Sequence, residues 1–144
     1  PAHLPGDVNL AEQRWGRRAR WAYPFASLLR HGTVLAFGSD VPVAPLDPRR
    51  GVEAAMARQP REGGFPDGWH PEERIGFEDA VRAYTQGNAV AAGRGERQGR
   101  VGPGYDADLV AWQVDPAVER GEAEAFANAQ VRLTVVNGEV VYQR

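Results

Sequence analysis

Asp40 is the residue of this sequence best placed to do chemistry. It follows a continuous apolar run, Val34-Leu35-Ala36-Phe37, that Gly38-Ser39 brings to an end. A run of this kind suits a strand buried on both faces better than one with a wet side. Pro42, Pro45 and Pro48 come next, so neither a helix nor a central strand continues. An ionisable group at the C-terminal mouth of a buried parallel strand is where α/β barrels keep their chemistry. The competing role, a side chain that caps a turn, fits Asp40 equally well from the pattern alone. The three histidines, His3, His31 and His70, are far apart and never spaced as His-x-His. Trp69-His70 lies in a Gly- and Pro-rich stretch from Gln59 to Arg74. Long loops in compact domains tend to be functional, so this pair suits a substrate mouth, or a packed anchor for the loop. His31 precedes Gly32 and suits the C-terminal end of a helix.

Composition removes several kinds of chemistry. The 144 residues contain no cysteine, which excludes disulfides, thiolate catalysis and Cys-ligated zinc. All 17 basic residues are Arg, so neither a Schiff base nor a carbamylated lysine can come from this chain. Those Arg are scattered among 19 Asp and Glu, unlike the clustered basic face that binds nucleic acid. No apolar run approaches the ~20 residues that span a bilayer. Hydrophobic content of 42% with 25% charged residues reads as soluble and globular. The expected location is the cytoplasm. The chain starts at Pro1 rather than Met and shows no signal sequence, so it is expected to be a piece of something longer.

The elements that must position Asp40 follow from periodicity. Asn9 with Glu12 predicts a helix from Leu10, and Pro24 starts a second with Phe25, Leu28 and Leu29 inward. Gly32 ends it and the Val34 strand follows, which is the rhythm of a parallel α/β unit. Arg49 to Arg58 predicts a helix with Val52, Ala55 and Met56 inward. Phe77, Ala80, Val81, Tyr84, Asn88 and Ala91 share a face of another. From Gly99 the period changes. Gly99 to Gly104 reads as a tight turn, since no helix opens behind it as a phosphate cradle requires. Asp106 and Asp108 lack the ligand ladder of a calcium loop. Ala107 to Gln113 is β-rich, and Val131, Leu133 and Val135 alternate with Arg132, Thr134 and Val136. Asn137-Gly138 then predicts a type I′ hairpin into Glu139-Tyr142. The chain divides into an α/β part over 1–98 and a small β unit over 99–144.

Five stretches together resemble the C-terminal portion of the metal-dependent amidohydrolase superfamily, in particular amidohydrolase family 3. They are Pro1-Ala2-His3-Leu4; Arg20 to Phe25 leading into Ser27-Leu28-Leu29; and Phe37-Gly38-Ser39-Asp40-Val41-Pro42-Val43. The fourth is Pro71 to Arg74 with the helix through Ala83-Tyr84-Thr85 and Asn88-Ala89. The fifth is Gly99 to Val110, closing on Ala107-Asp108-Leu109-Val110, together with the Val136-Asn137-Gly138 hairpin.

The resemblance implies an α/β fold, the C-terminal part of a TIM-type (β/α)₈ barrel with the C-terminal half of a small β-sandwich. It makes Val34–Phe37 barrel strand eight and Pro1–Leu4 the tail of strand seven. It also implies that Asp40 is a metal ligand and the general base for bound water. His3, Trp69 and His70 are the candidate substrate contacts, and Asn88 is expected to hold a loop backbone. The family's His-x-His and its mid-barrel ligands are absent from these residues. The implied activity is hydrolysis of non-peptide C–N bonds in small amide-type substrates. It would depend on a divalent metal, zinc by preference, held in the intact protein and not by this chain alone. The implied partners are the N-terminal part of the barrel or a second copy, with no nucleic acid and no membrane. The alternative is a non-catalytic or degenerate relative of such a hydrolase, used for binding or interaction.

Overall fold

The computed structural model describes all 144 residues, Pro1–Arg144. Helix α1 runs over Leu4–Trp15 and so starts well before Leu10. Pro5 in its first turn has no N–H to satisfy and a preset φ. Leu4, Val8 and Ala11 are all buried, giving the i, i+4, i+7 stripe that packs a helix. Asn9 does not cap this helix; its side chain donates to Glu62 at 2.6 Å. Pro1–Leu4, expected as the end of a strand, is therefore a turn entering a helix. A strand needs a neighbour for its backbone, and none lies beside these residues.

Helix α2 (Phe25–Arg30) closes at Gly32, whose φ of +77° needs glycine. The Val34–Phe37 segment is extended but forms no ladder, a second departure from the expected strand. Nor is it buried on both faces, as the apolar run predicted, because only one side of it is packed. Leu35 and Phe37 are buried, whereas Val34 is 60% exposed and Ala36 faces solvent. Phe37 sits between the rings of Phe25 (5.0 Å) and Tyr84 (5.6 Å).

Helix α3 (Pro48–Ala57) is capped by Asp47, which accepts from the Arg49 N–H, and it buries Val52, Ala55 and Met56 as their spacing predicts. The helical face predicted from Phe77 to Ala91 is α4 (Phe77–Arg82), a π turn over Ala83–Gly87 and α5 (Asn88–Ala91) in succession. The β unit is a three-stranded antiparallel sheet in the order β1 (Leu109–Gln113), β2 (Gln130–Val136), β3 (Glu139–Gln143). Asn137 and Gly138 both have positive φ, 51° and 81°, as a type I′ turn requires.

Between β1 and β2 lie a 3₁₀ turn (Pro116–Arg120) and helix α6 (Ala123–Ala127), neither of which the periodicity revealed. Phe126 on α6 packs against Phe77 (5.0 Å) and Trp112 (5.3 Å). One buried cluster thus runs from Leu4 and Phe25 through Val52 to Val118 and Phe126. No helix is long and apolar enough to cross a membrane.

Candidate functional site

The residue after Ser39 must turn the chain away from the extended segment, and Asp40 does so in the left-handed region, φ 55°. Aspartate tolerates that conformation better than most residues because its short side chain can satisfy the local backbone. The Asp40 carbonyl accepts the Val43 N–H at 2.8 Å, which closes the turn, and the Val41–Pro42 bond is cis. Asp40 itself is exposed.

His3 is brought to the same place. Its Nε2 lies 3.2 Å from the carbonyl oxygen of Ser39, although 36 residues separate the two. From the other side, Asn88 Nδ2 donates to the Phe37 carbonyl at 2.9 Å and to the Tyr84 carbonyl at 3.0 Å. Asn88 thus holds loop backbone. Gly87 beside it approaches Leu35 so closely that a Cβ would lie 1.8 Å from the Leu35 carbonyl oxygen. A glycine inside a helical pattern was the available sequence signal for this contact.

Trp69 and His70 belong to a separate cluster. Trp69 is completely buried, and its Nε1 donates to Glu12 at 2.7 Å. It is a loop anchor, with no face open to a substrate. His70, in the left-handed region at φ 48°, lies 3.7 Å from Glu12 and 3.4 Å from Glu72. Its Nε2 is buried without a hydrogen bond.

Under this pair sits Arg58, which nothing in the sequence distinguishes from the other arginines. It is fully buried and donates through Nε to the Trp69 carbonyl (2.7 Å) and through Nη1 to the Tyr23 carbonyl (2.8 Å). The guanidinium lies over the rings of Trp69 and Phe25. Burial lowers its pKa to about 10. Nearby, Glu73 accepts the Ser27 N–H at 2.8 Å and the Ser27 hydroxyl, and forms an ion pair with the Arg30 guanidinium at 3.5 Å. Burial opposes its ionisation, but the Ser27 hydrogen bonds together with Arg30 and Arg58 hold its carboxyl below the ordinary value.

The donor set of this chain does not close a metal site. No three His, Asp or Glu side chains gather at one point, and a catalytic metal needs about three protein ligands. Asp40 offers one exposed carboxylate. His3 beside it is engaged with a backbone oxygen.

Comparison with known proteins adds a second line. A sequence model described as the amidohydrolase family matches residues 1–142. The chain is 27% identical to the putative amidohydrolase YtcJ of Bacillus subtilis, over 100% of this chain and 27% of that protein. It is 34% identical to the protein LONG AFTER FAR-RED 3 of Arabidopsis thaliana, over 99% of this chain and 24% of that one. It is 31% identical to the N-substituted formamide deformylase of Arthrobacter pascens, over 85% and 22%. Among solved structures it is similar to an amidohydrolase from Thermotoga maritima, with a TM-score of 0.58 and 25% identity over 85% of this chain and 26% of that chain. The chain spans about a quarter of the length of the curated relatives it matches.

Proposed function

This chain belongs to the amidohydrolase family, and from that premise we propose that it contributes Asp40 to the active site of a metal-dependent hydrolase of non-peptide C–N bonds. In this proposal Val34–Phe37 is the eighth barrel strand, and the β1–β3 sheet is the C-terminal half of the accompanying sandwich. The remaining ligands come from parts of the barrel that these 144 residues do not include. The observation that carries the proposal is the placement of Asp40. It is an exposed carboxylate in a fixed left-handed turn, directly after an extended segment whose Leu35 and Phe37 are buried, inside the matched span.

A divalent ion, zinc by preference, supplies when bound a water whose pKa falls toward ~7. The work of this chain is done at Asp40. Asp40 would be one of the residues that hold such an ion, and its carboxylate would accept a proton from the attacking water and return it to the departing nitrogen. His3, whose Nε2 lies against the carbonyl of the neighbouring Ser39, would meet the substrate at the same mouth. One relative's name gives an N-substituted formamide as what it deformylates, which favours a linear or cyclic amide as the substrate class.

Asp40→Asn in the full-length protein tests this. Asparagine adopts the left-handed turn as readily, so circular dichroism stays unchanged. It cannot take the proton, so kcat falls by about 10²- to 10⁴-fold. Near-normal kcat would remove Asp40 from the mechanism and leave a non-catalytic binding role as the better account.

A further inference from the structure

We propose that the helical stretch Phe77–Ala91 is the mount that holds Asp40 in place, with Asn88 and Gly87 as its positioning residues. This rests on the catalytic role proposed for Asp40.

Three contacts fix the backbone just before the aspartate. The π turn over Ala83–Gly87 presents the Ala83 carbonyl sideways, where it accepts the Phe37 N–H at 3.1 Å. One turn on, Gly87 lets the helix lie directly on the extended segment. A Cβ there would meet Leu35 O at 1.8 Å and Leu35 C at 2.9 Å, both backbone atoms that cannot swing aside. Then Asn88 spends its amide on two carbonyls at once, Phe37 on the segment and Tyr84 on the helix. Both the N–H and the C=O of Phe37 are thus tied to the helix, and only Gly38 and Ser39 lie between Phe37 and Asp40. His3 lies against a further carbonyl of the segment, that of Ser39.

The form of the device separates positioning from general stability. A π turn sacrifices regular helix geometry and recurs at functional sites, and a helical glycine costs stability relative to alanine. Both occur here where the helix meets the segment bearing Asp40. Asn88 is exposed and its bond to the Phe37 carbonyl only partly buried, so these bonds contribute modestly to stability. What they set is where Phe37 lies. A catalytic side chain must be held to about 0.5 Å, and a displacement of about 1 Å can cost 100-fold in rate.

The experiment uses the full-length protein with Asn88→Asp, Asn88→Ala and Gly87→Ala, and with Arg82→Ala as a control on the same helix. Asn88→Asp keeps the shape and loses the donor. For the Asn88 and Gly87 variants we expect kcat to fall about 10- to 100-fold with KM within about twofold. Deuterium uptake by the peptide covering Phe37–Asp40 should rise about tenfold in rate while distant peptides stay unchanged. Arg82→Ala should move neither. Where Asn88→Ala and Gly87→Ala do not fold, the isosteric Asn88→Asp carries the test. In the unaltered protein the Phe37 amide should also exchange at least about 100-fold more slowly than that of Gly38.

Wild-type exchange over Phe37–Asp40 in Asn88→Asp overturns the mount, as does a loosened segment with unchanged kcat. Fast exchange of the Phe37 amide in the unaltered protein does the same. Asp40→Asn run alongside keeps the two ideas apart. An inactive Asp40→Asn with a fully active Asn88→Asp defeats the mount alone, whereas an active Asp40→Asn defeats the catalytic role of Asp40 and the mount with it.

Discussion

Glu73→Gln removes a buried charge that the structure has fully committed. Glu73 is 6% exposed and accepts both the N–H and the hydroxyl of Ser27, with Arg30 at 3.5 Å and the buried Arg58 adding favourable charge. Hydrogen bonds to a charged acceptor are worth about 1.5–3 kcal/mol each. A glutamine keeps one acceptor oxygen for the Ser27 N–H. It then turns an NH₂ toward Ser27 Oγ, which already accepts from Arg30 at 2.8 Å. One charge-assisted bond is lost and a crowded donor is gained, so the cost is about 2 kcal/mol. At roughly 4 °C per kcal/mol for a chain of this size, the thermal midpoint at pH 7 should drop by about 8 °C.

The pH dependence has a definite sign. The folded-state pKa of Glu73 lies below its ordinary value of 4.5. Its contribution is therefore fully present above that ordinary value and is lost as pH falls through the folded pKa. Thermal unfolding followed at 222 nm should show the gap between wild type and Glu73→Gln closing progressively below about pH 4.5. Equal midpoints at pH 7, or a gap that persists unchanged in acid, would refute this account of the Ser27–Glu73 contact.

Other outcomes follow from single contacts. Trp69→Phe should lose the Glu12 hydrogen bond and about 1 kcal/mol, and Trp69→Ala about 3–5 kcal/mol; in the full-length protein KM should stay put in Trp69→Phe, because the ring is buried. Burial, with the Asp7 hydrogen bond adding to it for Tyr23, raises the phenol pKa of Tyr23 and Tyr84. Folded stability should therefore fall as pH rises above about 10, and Tyr23→Phe should remove the latest-ionising component of the alkaline ultraviolet titration. The isolated 144-residue chain should self-associate, because both edge strands of the sheet are open and Val110, Val136, Val140, Val141 and Tyr142 are all exposed on it. Light scattering after size exclusion that shows a stable 15.7 kDa monomer at high concentration would contradict this.

What the sequence made legible was local. Val52, Ala55 and Met56 declare helix α3 through spacing alone, and Asn137-Gly138 declares its hairpin through the φ values only such residues reach easily. The Val34–Phe37 run was legible as apolar and extended, but a strand is a relation between segments and no strand pairs with this one. Leu35 and Phe37 are buried because only one side of the segment is packed. Helix α6 was illegible because Ala123–Ala127 is short and has no side-chain cap. Tertiary packing of Phe126 on Phe77 and Trp112 makes it a helix. At the site, residue type and position single out Asp40. The approach of His3 to Ser39 spans 36 residues and has no periodic trace. Arg58 is one of 17 identical side chains, told apart only by the cavity that closes over it.

The two roles weighed for Asp40, turn residue and catalytic carboxylate, make different demands, and their intersection is narrow. A left-handed residue at φ 55° is served best by glycine and nearly as well by asparagine. Glutamate would supply the charge but lacks the short side chain that makes this conformation tolerable. Aspartate is the residue that meets both demands. A turn-only role would not need the carboxylate, since Asp40 is exposed and the bond that closes the turn is made by its backbone carbonyl to the Val43 N–H. The charge is surplus to the turn, and it stands at the end of a segment whose backbone is tied down at Leu35, Phe37 and Ser39. On the role proposed for Asp40, that restraint would serve a reacting group, and Asp40→Asn, which keeps the turn and removes the charge, is the substitution that separates the two roles.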